Sequence, residues 1–309
     1  MNIVFFGTAG FSKIVAEHIL QSKHKIVAIV TQPDKVNARN KKVVFSDLKV
    51  FAQENNIPLY QFEKLNRDGE DILKSLKADI FVTASYGQII KQNILDIAPI
   101  INVHASLLPK YRGPAPIQWC LINGEKKTGV TIMKTELGID CGDMFLKKEL
   151  DILPEDTTDS LFNKLAILGG EAIVEFLDNY DFYIKKGEKQ REEEMTYFPM
   201  INKEMSLIDF NKDANVIVNL IKGLSSSMTA YFIHKGMRFK VLFAEFVEDN
   251  SDNKEGTILS ANSKTGLIIK TKTNAINIVL IQPEGKNIMK SKDYCNSGKF
   301  VVGDNITGE

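Results

Sequence analysis

Asn102 and His104 stand two residues apart in Ile100-Ile101-Asn102-Val103-His104, a mostly apolar run that reads as a β-strand. At that spacing both side chains leave the same face of the strand. An amide beside an imidazole suits acyl chemistry. The amide can donate to a carbonyl oxygen as it becomes tetrahedral and anionic, and the imidazole can supply or remove a proton. Downstream, Leu137-Gly138-Ile139-Asp140-Cys141-Gly142-Asp143 places Asp140 in a loop between two glycines, where a carboxylate could orient His104. An Asn-x-His pair alone is ordinary strand polarity, so the elements around it have to decide its meaning.

Those elements alternate through the first half of the chain. Residues 2–6 are an apolar run ending at Gly7, as expected of a buried parallel strand, and Phe11, Ile14, Val15 and Ile19 follow at helical spacing. Residues 25–31 are β-branched and stop at Gln32-Pro33-Asp34. Helices are expected at 46–55 and 71–77, and strands at 79–84 and 100–104. This rhythm predicts an α/β fold with a doubly wound, mostly parallel sheet, whose ligands sit beyond the carboxyl ends of the strands. Gly7-Thr8-Ala9-Gly10 lacks the third glycine of a dinucleotide fingerprint and reads as a tight strand-to-helix turn at the cleft edge.

Asp156-Thr157 can cap a helix carrying Leu161, Leu165, Leu168, Ala172 and Phe176 on one face. The charged stretch 185–194 then reads as a solvated linker. After a helix at 212–223, short β-rich segments at 230–234, 237–246, 256–260, 266–271 and 275–281 predict a small β-barrel. The expected division is therefore 1–188, a linker over 189–205, and 206–309.

At 309 residues, with 44% hydrophobic and 25% charged residues, the composition is that of a two-domain globular chain. No apolar run approaches the roughly 18 residues needed to span a bilayer. Met1–Gly7 has no basic start and reads as a strand rather than a signal peptide, so the expected compartment is the cytoplasm. Cys120, Cys141 and Cys295 make neither a disulfide framework nor a zinc pattern, and no metal-ligand cluster is visible. His18, His24 and His234 read as structural, and Met133, Met144 and Trp119 as packing residues. Lys and Arg total 39 and Asp and Glu total 39, so any nucleic-acid contact has to use local patches.

The run from Asn102-Val103-His104 through Ser106-Leu107-Leu108-Pro109 to Arg112-Gly113 and Pro116 is followed by Thr128-Gly129-Val130-Thr131-Ile132-Met133 and Gly138–Asp143. Together these resemble the signature of folate-dependent formyltransferases. Gly7–Phe11, Thr31-Gln32-Pro33-Asp34-Lys35, Ala84-Ser85-Tyr86-Gly87 and the two-domain length are similar to the branch of that family that acts on methionyl-tRNA. The resemblance implies a formyltransferase-type, Rossmann-like catalytic domain followed by an oligonucleotide-binding-like β-barrel. It implies Asn102, His104 and Asp140 as the catalytic trio. Around the co-substrate 10-formyltetrahydrofolate it implies Ser106, Leu107, Leu108 and Pro109, with Tyr86 and Gly87 at the pteridine slot. Lys35, Arg39, Lys41 and Lys42, in the loop 34–45, would meet the acceptor stem of initiator methionyl-tRNA. The chemistry needs no metal, and the chain is expected to act as a monomer. The chain departs from the pattern at Asn40, where the glycine-rich character around the arginine is missing, and at Ser225-Ser226-Ser227-Met228, where relatives carry Pro and Trp.

In the β-rich part, Arg238, Lys240, Lys286, Lys290 and Lys292 are further candidates for phosphate contact. Three alternatives stay open: a small-amine acceptor such as an amino sugar nucleotide, hydrolysis of formyl-folate by water, and a non-enzymatic RNA-binding role for the β-rich domain.

Overall fold

Residues 1–36, 42–224 and 228–306 are described in a computed structural model of the chain; Arg39, Lys41 and Ser225–Ser227 lie outside them. The chain forms two compact units. One comprises Met1–Pro116, Lys127–Asp151 and Phe162–Phe198; the other comprises Ile117–Lys126, Ile152–Leu161 and the chain from Pro199 onward.

The first unit begins with strand β1 (Asn2–Gly7), helix α1 (Gly10–Leu20) and β2 (Lys25–Thr31), followed by the short pair β3 (Lys35–Val36) and β4 (Val43–Val44). Next come α2 (Asp47–Glu54), β5 (Leu59–Gln61), α3 (Leu65–Asp68), α4 (Glu70–Ser75), β6 (Ile80–Ala84), α5 (Gln92–Leu95) and β7 (Ile100–His104). After α6 (Pro116–Ile122) the chain forms β8 (Lys127–Lys134), β9 (Met144–Asp151), α7 (Thr158–Asp178) and α8 (Tyr180–Ile184). The sheet order is β5-β2-β1-β6-β7-β8-β9. Strands β5 through β7 run parallel, and β8 and β9 are antiparallel additions.

The parallel strands read as unbroken apolar runs because both faces of the sheet are covered. Val4, Phe6, Val30, Phe81 and Ile100 point to one face, where they pack with Leu65, Leu73 and Ile94 of α3, α4 and α5. Asn102 and His104 continue the parity of Ile100 at the carboxyl end of β7. On the other side, Phe11 of α1 meets Phe162 of α7 edge to face at 5.7 Å. Helix α2 begins at Ser46, whose hydroxyl accepts from Lys49 N at 3.1 Å, while α1 has no side-chain cap and starts from the Gly7 turn instead. A Cβ on Gly7 would lie 2.3 Å from the Ser12 Cβ and 2.9 Å from the Ala84 carbonyl, so the turn requires glycine.

The second unit holds α9 (Ala214–Leu224), β10 (Ala230–His234), β11 (Met237–Val247), β12 (Ile258–Asn262), β13 (Gly266–Lys270), β14 (Ala275–Pro283), β15 (Met289–Lys290) and α10 (Ser291–Cys295). Its antiparallel order is β10-β11-β14-β13-β12, with β15 on β14. Register shifts in β11 at Val241–Ala244 bend the sheet. Its core is aromatic: Phe239 stacks on Phe232 at 5.3 Å and meets Phe300 at 4.9 Å and Tyr294 at 5.6 Å.

The units do not divide the chain at the linear boundaries expected from sequence. Residues 117–126 and 152–161 join the second unit, and the segment read as the start of a linker, 189–198, packs within the first. Its charged residues Lys189 and Arg191 to Glu194 are exposed, which explains the linker reading, but Gln190 between Lys189 and Arg191 is 9% exposed and Phe198 stacks on Tyr111 at 5.1 Å.

Candidate active site

His104 ends β7, opposite Thr131 of β8, and is 6% exposed. Its Nε2 lies 2.9 Å from the Tyr111 carbonyl oxygen. A carbonyl only accepts, so Nε2 carries the hydrogen and Nδ1 is left as the atom that can gain or lose a proton. Asp140 faces that atom: its Oδ2 is 3.6 Å from Nδ1, close enough for charge pairing and just beyond hydrogen-bond length. The structure thus brings together two residues that are distant in sequence.

Asp140 adopts a left-handed backbone, φ +48°. Aspartate tolerates this better than most residues because its short side chain can hydrogen-bond locally. Here Oδ2 accepts from Gly113 N at 2.9 Å. Gly113 is itself at φ +110°, and a Cβ there would come within 2.4 Å of the Phe198 carbonyl oxygen. Asn102 is oriented from β6: the Thr83 hydroxyl donates to its Oδ1 at 2.8 Å. Its amide nitrogen is therefore the group available to a substrate oxygen.

The segment 106–109 is held tightly. The Ser106 hydroxyl donates to Lys110 O at 2.7 Å, Thr131 Oγ1 donates to Ser106 O at 2.7 Å, and Leu108 N donates to Thr131 Oγ1 at 3.1 Å. The Leu108–Pro109 bond is cis. Leu108 packs with Met133 and Met144, and Leu107 is half-buried. Among the residues expected around the folate, Ser106 and Leu108 are thus committed inward. Tyr86 also points into the core, against Phe6 at 5.4 Å, and burial raises the pKa of its phenol. Its carbonyl accepts from Thr8 Oγ1 and Gln32 Nε2, both at 3.0 Å, while Gly87 is exposed at φ +84°. Tyr86 can therefore line a slot with its backbone, not its ring.

Lys35 is exposed on β3, which pairs with β4, and Lys42 is exposed immediately before β4; Arg39 and Lys41 lie outside the described residues. His18 and His24 have structural partners: His18 Nδ1 lies 2.8 Å from Ile14 O, and His24 Nε2 lies 3.0 Å from Asp178 Oδ1. In the second unit His234 Nε2 is 3.5 Å from Asp304. Among the described residues no group of three or more His, Cys, Asp or Glu could hold a metal, and no helix is long and apolar enough to cross a membrane.

Sequence reasoning missed the supports of this site. Arg112, 6% exposed, donates from Nε to Gln190 Oε1 at 2.9 Å and pairs with Glu192 through both terminal nitrogens at 2.7 and 3.2 Å. Arg112 was visible only as part of a motif, and Gln190 was hidden in a charge run. The Arg112 hydrogen bonds hold the Glu192 carboxyl below its ordinary value. A carboxyl depressed by folding contributes stability above its unfolded value and loses it as the pH falls through the folded one. Glu192→Gln is therefore expected to melt below the native chain at pH 7, and the difference should close in acid below the ordinary 4.5. Thermal melts from pH 7 to pH 3 test this; a constant difference would refute it.

The description "Formyl transferase" fits residues 1–177, and "Formyl transferase, C-terminal domain" fits residues 200–299. The chain belongs to the formyl transferase family. A methionyl-tRNA formyltransferase of Caldanaerobacter subterraneus is 40% identical over 314 residues, which cover 99% of this chain and 98% of that protein. In fold, this formyl transferase is similar to HypX from Aquifex aeolicus in complex with tetrahydrofolic acid, with a TM-score of 0.65 and 16% identity. That match covers 98% of this chain but spans only 48% of the HypX chain. It is also similar to WlaRD, a sugar 3N-formyl transferase crystallised in the presence of dTDP and 5-N-formyl-THF. There the TM-score is 0.64 and the identity 21%, over 93% of this chain and 99% of that one. The doubly wound domain and the β-rich C-terminal domain expected from sequence are those of this family, and the strands of the latter pair antiparallel.

Proposed function

We propose that this formyl transferase moves the formyl group of 10-formyltetrahydrofolate to the free amino group of methionyl-tRNA, giving N-formylmethionyl-tRNA for translation initiation. The observation that carries the chemistry is the Asp140 carboxylate facing Nδ1 of a His104 whose other nitrogen is held by Tyr111. The observation that carries the acceptor is full-length similarity to a methionyl-tRNA formyltransferase.

The neutral amine attacks the formyl carbon, and the formyl oxygen takes up the electron pair. Asn102 Nδ2 and a proton at His104 Nδ1 stabilise that oxyanion. Asp140 orients the imidazole and helps collect the amine proton, directly or through a water. When the intermediate collapses, the bond to folate N10 breaks. N10 receives one proton for the one the amine loses. Leu107, the Tyr86 backbone and Gly87 line the folate, over a floor set by Ser106, Leu108 and Pro109.

Exposed Lys35 and Lys42, with Arg39 and Lys41 of the same loop, meet the acceptor stem. In the second unit Lys240 lies opposite Tyr231, and the Arg238 guanidinium sits over the Tyr231 ring at 4.3 Å, a basic and aromatic face suited to RNA. The enzyme acts as a cytoplasmic monomer.

Incubation with 10-formyltetrahydrofolate and methionyl-tRNA should yield N-formylmethionine. Transfer only to a nucleotide-linked amino sugar, or formate release without an acceptor, would overturn the assignment. Reversing charge at Lys35 and Lys42 to Glu should raise KM for methionyl-tRNA roughly tenfold at low salt, with folate KM unchanged, because phosphate contacts carry that binding. Unchanged tRNA kinetics would remove these two lysines from the acceptor site.

A further inference from the structure

We infer that Gln190 is a positioning residue for formyl transfer, acting through the backbone of Asp140; this presupposes the formyl-transfer reading of the site. Glu188 and Met144 bond each other in both directions, N to O at 2.8 and 2.9 Å, which brings the chain after α8 alongside the start of β9. Two residues on, the Gln190 amide nitrogen donates to the carbonyls of Asp140 and Gly142, at 2.7 and 2.9 Å. Its oxygen accepts from Arg112 Nε at 2.9 Å. Both ends of the amide are engaged, which fixes one orientation.

The loop it grips has little else to hold it. Leu137 and Ile139, its large apolar residues, are 62% and 55% exposed, so no buried side chain anchors the approach to Asp140. Polar bonds fix the loop: Gln190 to two carbonyls, Gly113 N to the Asp140 carboxylate, and Lys134 N to Asp143 O at 2.9 Å. The same returning segment also sets the other half of the site. Thr196 Oγ1 accepts from Tyr111 N at 2.8 Å, and Arg112 N donates to Thr196 O at 2.9 Å. Tyr111 is the residue whose carbonyl holds the His104 ring. Arg112 and Gln190 therefore link the supports of His104 and Asp140, so that imidazole and carboxylate keep one separation. Positioning at that precision matters because a shift of about 1 Å in a catalytic group can cost roughly 100-fold in rate.

Gln190→Glu keeps the size and the acceptor for Arg112 but sets a carboxylate against two carbonyls. Gln190→Met keeps the size with no donor. Both variants are expected to lower kcat by about 10- to 100-fold, with KM for 10-formyltetrahydrofolate and for methionyl-tRNA changed less than about twofold. The decisive readout is coupling. In an Asp140→Asn background, where there is no carboxylate to position, either Gln190 substitution should cost less than about twofold. The same fold-loss in both backgrounds would overturn the inference, as would native kcat in both Gln190 variants. So would loss of the folded state in both, since Gln190 would then serve the fold and not Asp140. Native activity in Asp140→Asn alone would instead overturn the assignment of the site.

Discussion

Asn102→Ala is expected to lower kcat for formyl transfer by about 10²- to 10³-fold, the loss typical of one oxyanion donor. Thr83 fixes the amide with its oxygen toward β6, so the nitrogen is the end left for the substrate. The formyl oxygen is a weak acceptor before attack and a strong one after it, so most of the lost bond belongs to the transition state. KM for 10-formyltetrahydrofolate should therefore move little. Asn102→Asp should cost at least as much, because it replaces the donor with an acceptor of the same shape and adds a negative charge beside the developing oxyanion. Single-turnover kinetics with saturating methionyl-tRNA separate chemistry from product release. An alanine enzyme within threefold of native would exclude Asn102 from the oxyanion site.

The largest effect on stability is expected at Phe239. This ring is 1% exposed and touches Phe232, Tyr294 and Phe300, so it joins β10, β11, α10 and the C-terminal segment. Truncation to alanine removes the ring from a core that cannot collapse onto the gap, at a cost of roughly 3–5 kcal/mol. Because the second unit carries its own core, the expected signature is a separate early transition in calorimetry, with the first unit melting near its native temperature. Phe239→Leu, which refills part of the volume, should recover much of the loss. A single unshifted transition in Phe239→Ala would show that the aromatic cluster does not govern this unit's stability.

The sequence made the strands easy to read for a physical reason. Strands buried on both faces become apolar runs, and β1, β2 and β6 fall where those runs lie. The second unit was legible through its turns, with β10 and β11 separated by Lys235-Gly236 and β13 opening at Gly266. The His104–Asp140 meeting was anticipated from residue type and resemblance, and the observed geometry carries it. The hidden parts were those whose role depends on long-range pairing. A glutamine inside Lys189-Gln190-Arg191-Glu192 gives no local sign that its amide closes on carbonyls 50 and 48 residues away. Tyr86 enters only through the resemblance, and packing adds what no sequence signal carries: its ring turns into the core and leaves its backbone for the slot. The antiparallel β8 and β9 extend an otherwise parallel sheet; β8 is buried between its neighbours, and the alternating exposure along β9 marks the sheet edge.

The two units are interleaved along the chain, and this bears on how acceptor preference could be exchanged between relatives. Splicing a foreign C-terminal half at position 199 would transplant most of the second unit but leave residues 117–126 and 152–161 from the old parent. Those two short stretches would then face a surface they had not co-evolved with. A hybrid cut earlier, at 188, would also discard the host's Gln190 and Thr196 and replace them with a stranger's. Recombination that respects this architecture needs several matched junctions rather than a single one.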